Sequence, residues 1–334
     1  MRFRVLGIAA LAATALGAHA QQPVKLTMGT NWKAEAEHGG YYQALAAGIY
    51  QKYGLDVTIR MGGPQVNNLQ MLVAGVIDFN MGSDSFNGLN FVKNNIPGIV
   101  IASIFQKDPR ILMAHPGQGN DTLVALKGKP IMIAAASRNN YWLFLRAKYG
   151  FTDDQIRPYT FNMAPWLADK SAIQQGFVTS EPLKAMKTGV KPVVHLLADN
   201  GYVSYATTLE TRQQLVKQHP DLVQRFVDAS IEGWYGYLYG DHAAADALIK
   251  KDNPEMDDEQ LGYSHQKMLE YGIVDSGDAL KLGIGAMTDA RWREFADQMI
   301  RAGVYPADLD VKQAYTLQFI NQRHGMDLKR TLKR

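Results

Sequence analysis

The chain has 334 residues, a formal net charge of +3 and no cysteine. A chain of this length supports one large or two medium domains, each with its own core. The lack of cysteine excludes disulfides, thiolate zinc sites and a lipid-modified cysteine. The charge is spread along the chain, so we expect no nucleic-acid partner.

The first twenty residues have the pattern of a secretory signal peptide. Arg2 and Arg4 precede an apolar run over 5–16, and small residues end it before a cleavage site predicted after Ala20. The apolar run is shorter than the roughly 20 residues that a spanning helix requires, and no later segment reaches that length. The sequence therefore predicts export of residues 21–334 to the periplasm as a free protein.

The first part of the mature chain alternates strand and helix patterns. Strands are predicted at 24–28, 55–61, 77–81 and 99–104, with helices at 39–53, after Pro64 and after Asp84. In the second helix we expect Val66, Leu69, Leu72 and Val73 to face inward. This βαβαβ order predicts a parallel sheet with right-handed crossovers.

A second α/β unit follows. Strand 110–115 leaves the first unit, the turn at 116–120 marks a boundary, and strands are predicted at 131–135, 157–161, 172–178 and 193–197. Residues 202–207 are predicted as a strand that returns to the first unit. Helices then run to the end, the last of them over 311–320.

This order predicts an α/β protein of two lobes. Lobe 1 is discontinuous and comprises 21–113 and 203–334, while lobe 2 comprises 114–202. Two crossing segments between lobes leave a cleft, which is a favoured ligand site and allows hinge closure.

Polar or aromatic residues follow most of the predicted strands, where open α/β sheets bind their ligands. The candidate ligand-binding residues are Trp32, His38, Gly62, Gly63, Pro64, Ser83 and Asp84 in lobe 1, and Ser137, Arg138, Asn162 and Glu181 in lobe 2. Structural alternatives exist for several of them. Trp32 could cap the core, His38 could start a helix, and Asp84 and Glu181 could cap helices, an interpretation we favour for Asp84.

Motifs for catalysis are missing from the sequence. It has no phosphate loop, no GxSxG elbow, no HExxH and no dinucleotide fingerprint after a strand. The eight histidines contain no i, i+4 pair. We therefore expect no enzyme, no metal and no cofactor.

Several short motifs, in their order and spacing, resemble the NMT1/THI5-like substrate-binding proteins of ABC importers. They are Trp32 with His38 six positions on, Gly39-Gly40-Tyr41-Tyr42, Gly54-Leu55-Asp56-Val57, Gly62-Gly63-Pro64, Asp78-Phe79 with Met81-Gly82, and Gly176-Phe177-Val178-Thr179-Ser180-Glu181-Pro182. The resemblance implies a type II periplasmic binding protein fold, a small nitrogenous ligand and an inner-membrane ABC permease as partner of a monomer.

The same resemblance implies what the ligand is. Thiamine-precursor pyrimidines are the best-known ligands of the family, and in such binders an aromatic residue stacks on the ring while an acid at the position of Glu181 meets its amino group. We expect Trp32 to be that aromatic residue. Related branches bind sulfonates, taurine, nitrate or riboflavin, so a small anion held by Arg138 and helix N-termini is the alternative.

The family also includes an enzyme, the fungal pyrimidine synthase. Its histidine matches His38 in spacing from Trp32, but the lysine that holds pyridoxal phosphate falls at Asp84 in this sequence. The cysteine cluster of that enzyme is absent as well. The resemblance therefore favours a binding protein over an enzyme.

Overall fold

The computed structural model describes residues 22–332, and the predicted signal peptide lies outside them. Over this range the strands are β1 (Val24–Gly29), β2 (Leu55–Arg60), β3 (Phe79–Met81), β4 (Gly98–Phe105), β5 (Arg110–Ala114), β6 (Ile131–Ile133), β7 (Ile156–Pro158), β8 (Ile173–Phe177), β9 (Val193–Leu196) and β10 (Ala206–Arg212). They form two five-stranded sheets. Within the described range, no helix combines the length and the apolar character needed to cross a bilayer.

The first sheet has the strand order β2-β1-β3-β10-β4. Strand β1 is parallel to both of its neighbours, whereas β10 is antiparallel to β3 and β4. Since β10 arrives after the second sheet is complete, the chain leaves the first lobe and returns to it. The returning strand begins at Ala206, later than the predicted start at residue 202.

The second sheet has the order β7-β6-β8-β5-β9. Strand β5 pairs antiparallel with β8 and β9, so Arg110–Ala114 belongs to the second lobe. The prediction that lobe 1 extends to residue 113 is therefore wrong, and the first crossover is 106–109. The periodicity of a strand shows which face is buried, but the sheet that it joins depends on partners distant in sequence.

The helices in the described range are α1 (Gly39–Ala46), α2 (Ile49–Lys52), α3 (Asn68–Val73), α4 (Ser85–Lys93), α5 (Tyr141–Tyr149), α6 (Ala164–Ala168), α7 (Glu181–Lys187), α8 (Gln213–Gln218), α9 (Pro220–Tyr239), α10 (Ala243–Asp252), α11 (Asp258–Glu270), α12 (Ala279–Leu282), α13 (Asp289–Arg301) and α14 (Leu328–Leu332). Gly48, at φ 65°, divides the predicted helix 39–53 into α1 and α2. The predicted helix 311–320 is only a 3₁₀ turn, after which Tyr315 bridges to Val100.

The face predicted for the helix after Pro64 is only partly correct. Leu72 is fully buried, whereas Val66 and Val73 are 41% and 45% exposed. Helix α3 is short and has few turns over which an apolar stripe could be read.

Helix α1 packs closely against the long helix α9. A Cβ atom at Gly40 would lie 2.2 Å from the ring of Trp234, and one at Gly39 would lie 2.2 Å from the ring of Tyr237. On the other side, a Cβ atom at Gly233 would lie 2.2 Å from the carbonyl oxygen of Gly40. Because only glycine lets the two helices approach this far, the Gly-Gly pair fixes α1 and the loop that precedes it.

Candidate ligand site between the two lobes

The loop after β1 is held by backbone contacts that need a glycine. Thr30 Oγ1 donates to the carbonyl oxygen of Trp32 at 2.8 Å, and the amide of Gly62 donates to the same oxygen at 3.1 Å. A Cβ atom at Gly62 would lie 2.1 Å from the carbonyl oxygen of Thr30. Gly62 therefore supports the loop that carries Trp32, while Gly63 and Pro64 form the turn beyond it, with Pro64 exposed.

His38 lies inside the protein at the start of α1. Its side chain is completely buried, and Nε2 lies 3.2 Å from Oδ1 of Asn31. Burial lowers the pKa of His38 to about 3, so the ring is neutral at physiological pH. His38 thus orients Asn31 instead of facing the cleft.

A small cavity lies where the two lobes meet. Its lining residues are Asn31, Glu35, Glu37, Met81, Ser83, Phe105, Pro109, Arg110, Phe177, Ala206 and Thr207. Of the candidates from the sequence, Ser83 is the one that lines it. The volume open to water is about 20 Å³, room for about one water molecule, so the lobes are closed on each other.

Two of the lining residues are carboxylates that are shielded from solvent. The side chain of Glu35 is 18% exposed, and Glu37 is 3% exposed. Burial, together with the nearby charges of Glu37 and Glu181, raises the pKa of Glu35 well above its usual range. Burial also raises the pKa of Glu37, although the hydroxyl of Thr179 donates to it and Lys184 favours its charged form.

Arg110 also lines the cavity, and two acids balance its positive charge. Its Nη1 lies 3.0 Å from Oδ2 of Asp84 and also contacts Asp108, and both acids are fully buried. Burial raises the pKa of Asp108 to about 6 despite the adjacent guanidinium. Asp84 also accepts from the amide of Phe86 at 3.0 Å, so its predicted role as the cap of α4 is confirmed.

An aromatic wall connects Trp32 of the first lobe with Glu181 of the second. The ring centroids of Trp32 and Phe161 are 4.9 Å apart, and those of Phe161 and Tyr159 are 5.4 Å apart. The hydroxyl of Tyr159 donates to Oε1 of Glu181 at 3.3 Å, while the amide of Phe177 donates to Oε2 at 2.7 Å. The structure thus connects, through two intervening rings, the aromatic residue and the acid that the sequence singled out.

The remaining candidates of the second lobe do not reach the cavity lining. Arg138 is exposed in a 3₁₀ turn with the half-buried Ser137. Asn162 is also exposed, and its Oδ1 accepts from the amide of Ala164 at the start of α6. These residues have structural or solvent contacts in the closed protein.

Thr179, in the second lobe, forms hydrogen bonds to three residues of the first lobe. Its hydroxyl donates to Glu37, while Nε2 of Gln260 and Oγ of Ser264 donate to its carbonyl oxygen at 3.0 and 2.7 Å. Glu37, Gln260 and Ser264 all belong to lobe 1. We call these four residues the Thr179 clasp.

Sequence reasoning missed Glu35, Glu37, Arg110 and Thr207. The two glutamates were detectable, because they lie in the same strand-to-helix loop as Trp32. Thr207 lines the cavity at φ 48°, a strained conformation for a β-branched residue. Neither that backbone angle nor the contact between Arg110 and Asp84 leaves a trace in the local sequence.

No group of three or more histidine, aspartate or glutamate side chains is placed to hold a metal ion in residues 22–332.

Similar proteins match this chain over most of its length. The riboflavin-binding protein RibY of Chloroflexus aurantiacus is 24% identical over 322 residues, which cover 93% of this chain and 91% of RibY. The periplasmic aliphatic sulphonate binding protein SsuA of Escherichia coli superposes with a TM-score of 0.66 at 13% identity, over 88% of this chain and 92% of SsuA.

A third similar protein is an enzyme. The desulfurization enzyme DszB superposes with a TM-score of 0.58 at 14% identity, over 90% of this chain and 98% of DszB. At such identities the likeness shows the fold alone. The predicted type II periplasmic binding protein fold is confirmed.

The family model described as NMT1/THI5 like matches residues 35–245, which is more than half of the chain. The matched region starts at Glu35 in the loop of β1, contains the second lobe and ends within α10. The chain therefore belongs to the NMT1/THI5-like family.

Proposed function

We propose that this protein is the periplasmic ligand-binding component of an ABC importer and delivers its ligand to an inner-membrane permease. The ligand is a small planar nitrogenous compound such as an aminopyrimidine thiamine precursor. Support comes from the family, the fold and the names of similar proteins, RibY and SsuA, which are binding proteins. The signal peptide predicted in the sequence agrees with this location.

The observation that carries the proposal is the aromatic wall between Trp32 and Glu181. A ring stacked on Trp32 would gain about 0.5–1.5 kcal/mol beyond the burial of its area. An N–H group of the ligand that donates to the Glu181 carboxylate would add about 1.5–3 kcal/mol in a dry cleft. Both contacts suit a flat ring with an exocyclic amine.

The lobes must open before the proposed ligand can bind. The cavity of about 20 Å³ is smaller than any heterocycle, so the ligand enters an open form and the lobes close on it. The crossovers 106–109 and 197–205 are the two connections about which they would rotate. Loss of water from the closed cleft then strengthens the contacts to Glu181.

The anion alternative has less support in the cleft. Arg138 is exposed away from the lining, and the charge of Arg110 is matched by Asp84 and Asp108. A sulfonate would instead meet the carboxylates of Glu35 and Glu37. Riboflavin is the second candidate, because RibY resembles this chain along almost its whole length and a flavin is also a flat nitrogenous ring.

The two positions on which the enzyme alternative depends do not support it. The histidine that it requires is neutral and buried against Asn31. The residue at the position of the cofactor lysine is Asp84, an acid that is ion-paired to Arg110. Incubation with pyridoxal phosphate is expected to give a flat difference spectrum, and an absorbing aldimine would support the enzyme.

Calorimetry with 4-amino-2-methylpyrimidine, riboflavin, ethanesulfonate and amino acids tests the proposal. We expect the aminopyrimidine to bind, with at least about tenfold weaker binding in Trp32→Ala and in Glu181→Gln. Arg138→Ala is the matched control and should bind as the unmodified protein does. Binding of ethanesulfonate alone, lost in Arg138→Ala, would show that the ligand is an anion.

A further inference from the structure

Two carboxylates line the cavity, and a third from the other lobe lies close to them. Glu35 and Glu37 line it from the first lobe, and Glu181 of the second lobe is close enough to oppose the ionisation of each. Ionising three carboxylates this close together costs free energy. A protein core that had no ligand to hold would gain stability by replacing them.

Few positive charges face this cluster. In the described part of the chain, Lys184 is the cation that acts on both Glu35 and Glu37, and it is exposed on α7. Arg110 is ion-paired with Asp84 and Asp108 and therefore leaves no surplus charge. The cavity lining thus has more acidic groups than unpaired basic groups.

Glu35 lacks the partner that a structural acid would have. The basic group nearest to it is Nε2 of His38 at 3.8 Å, and that ring is neutral. Its other charged neighbours are Glu37, Glu181 and Lys184. With a side chain only 18% exposed, Glu35 has little contact with water, and among the described residues it has no charged partner within ion-pair distance.

Aromatic faces lie next to Glu181. The wall of Trp32, Phe161 and Tyr159 ends at the carboxylate of Glu181. Aromatic faces attract cations, and carboxylates accept charge-assisted hydrogen bonds from them. The combination suits a flat cation better than a neutral ring.

We propose that Glu35 and Glu37 are specificity-determining residues and that the cleft selects an organic cation with several N–H donors, such as an amidinium or a protonated aminopyrimidine. This inference rests on the proposed function and adds the charge of the ligand to it. The amidinium fork would donate to Glu35 and Glu37 while its ring lies against Trp32.

Three probes of one shape and different charge test the inference. Benzamidine is a cation, benzamide is its neutral counterpart, and benzoate is the corresponding anion. We expect benzamidine to bind at least about tenfold more tightly than benzamide at pH 7.5, and benzoate not to bind. The affinity for benzamidine should increase from pH 5.5 to pH 8. Burial and the neighbouring acids favour the protonated forms of Glu35 and Glu37, and these carboxylates must lose their protons to accept the cation.

Variants assign the effect to the two glutamates. Glu35→Gln and Glu37→Gln should each weaken the binding of benzamidine about 10- to 100-fold. The binding of benzamide should not change. Glu255→Gln removes an exposed acid paired with Lys33 and should change neither. Since Glu37 also belongs to the Thr179 clasp, thermal melting of each variant shows whether it is folded, and Glu35→Gln, outside the clasp, tests the proposal by itself.

The outcomes separate this inference from the proposed function. Equal binding of benzamidine and benzamide, or benzamidine binding unchanged in Glu35→Gln, would overturn the cation selectivity and leave an importer component for neutral heterocycles. If neither benzamidine, 4-amino-2-methylpyrimidine nor riboflavin binds, both the cation selectivity and the proposed function would be overturned.

Discussion

Arg110 Nη1 lies 3.0 Å from Asp84 Oδ2, so the first residue of β5 is ion-paired with the residue that caps α4 in the other lobe. Asp108, in the first crossover, contacts the same guanidinium. All three groups are shielded from water, since the two acids are fully buried and the Arg110 side chain is 13% exposed. The lobes are therefore connected by a charge network next to one crossover.

We predict that Arg110→Met destabilises the protein by about 3–5 kcal/mol at pH 7, because it leaves two buried acids without their cation. The loss should be smaller at pH 5, where Asp84 and Asp108 can take up protons. Urea denaturation at both pH values measures it. Lys107→Met, which removes an exposed pair with Asp199, should cost less than about 1 kcal/mol. An equal loss at the two pH values would contradict the assignment to buried charge.

The Thr179 clasp should favour closure even without ligand. Thr179→Val keeps the volume but removes the hydroxyl that donates to Glu37, at an expected cost of about 1–3 kcal/mol. Small-angle scattering of the ligand-free variant should show a larger radius of gyration than that of the unmodified protein. Thr188→Val is the matched control, because its hydroxyl bonds only within the second lobe, to Ala185, and scattering of this variant should not change.

The buried neutral ring of His38 predicts a pH-dependent stability. Its folded pKa of about 3 lies below the unfolded value of 6.5, so the unfolded chain binds the extra proton and stability falls as the pH drops below 6.5. Between pH 7 and pH 5 this group accounts for about 2 kcal/mol. His38→Gln should show a correspondingly smaller loss over that interval in urea titrations. An unchanged pH slope would mean that the ring is protonated in the folded protein.

A Cβ atom at position 62 has no space. Gly62→Ala should destabilise the protein by about 1–3 kcal/mol, because the methyl group meets the carbonyl oxygen of Thr30 at 2.1 Å. Ligand affinity should fall with it, since the same loop positions Trp32. Gly262→Ala provides the control. That glycine lies in α11 with open space around it, so alanine should stabilise the helix by about 0.5–1 kcal/mol.

Much of the fold could be predicted because its signals are local. Apolar patterns predicted the strands of both sheets, and Gly54 and Gly150 end their elements in the left-handed conformation. The order of elements then led to two lobes. The sheet to which β5 belongs could not be predicted in this way, because its partners β8 and β9 lie some sixty to eighty residues further along the chain.

The site was predictable only in part. Trp32 and Glu181 were identified from their positions after strands, and the structure joins them through Phe161 and Tyr159. The acids Glu35 and Glu37 follow the same rule but were overlooked beside the tryptophan. His38 was chosen for its chemistry, yet its burial is set by packing that the sequence does not display, and the glycine pair after it is explained by contact with α9.

The contact between Gly40 of α1 and Trp234 of α9 determines how late in synthesis the site can be assembled. The loop with Trp32, Glu35 and Glu37 emerges early in synthesis, but the helix that fixes its position is made after the whole second lobe. The helix surface that supports this loop is thus almost two hundred residues downstream. A chain that stops after β10 would contain every residue lining the cavity and still lack the support that holds the acids in place.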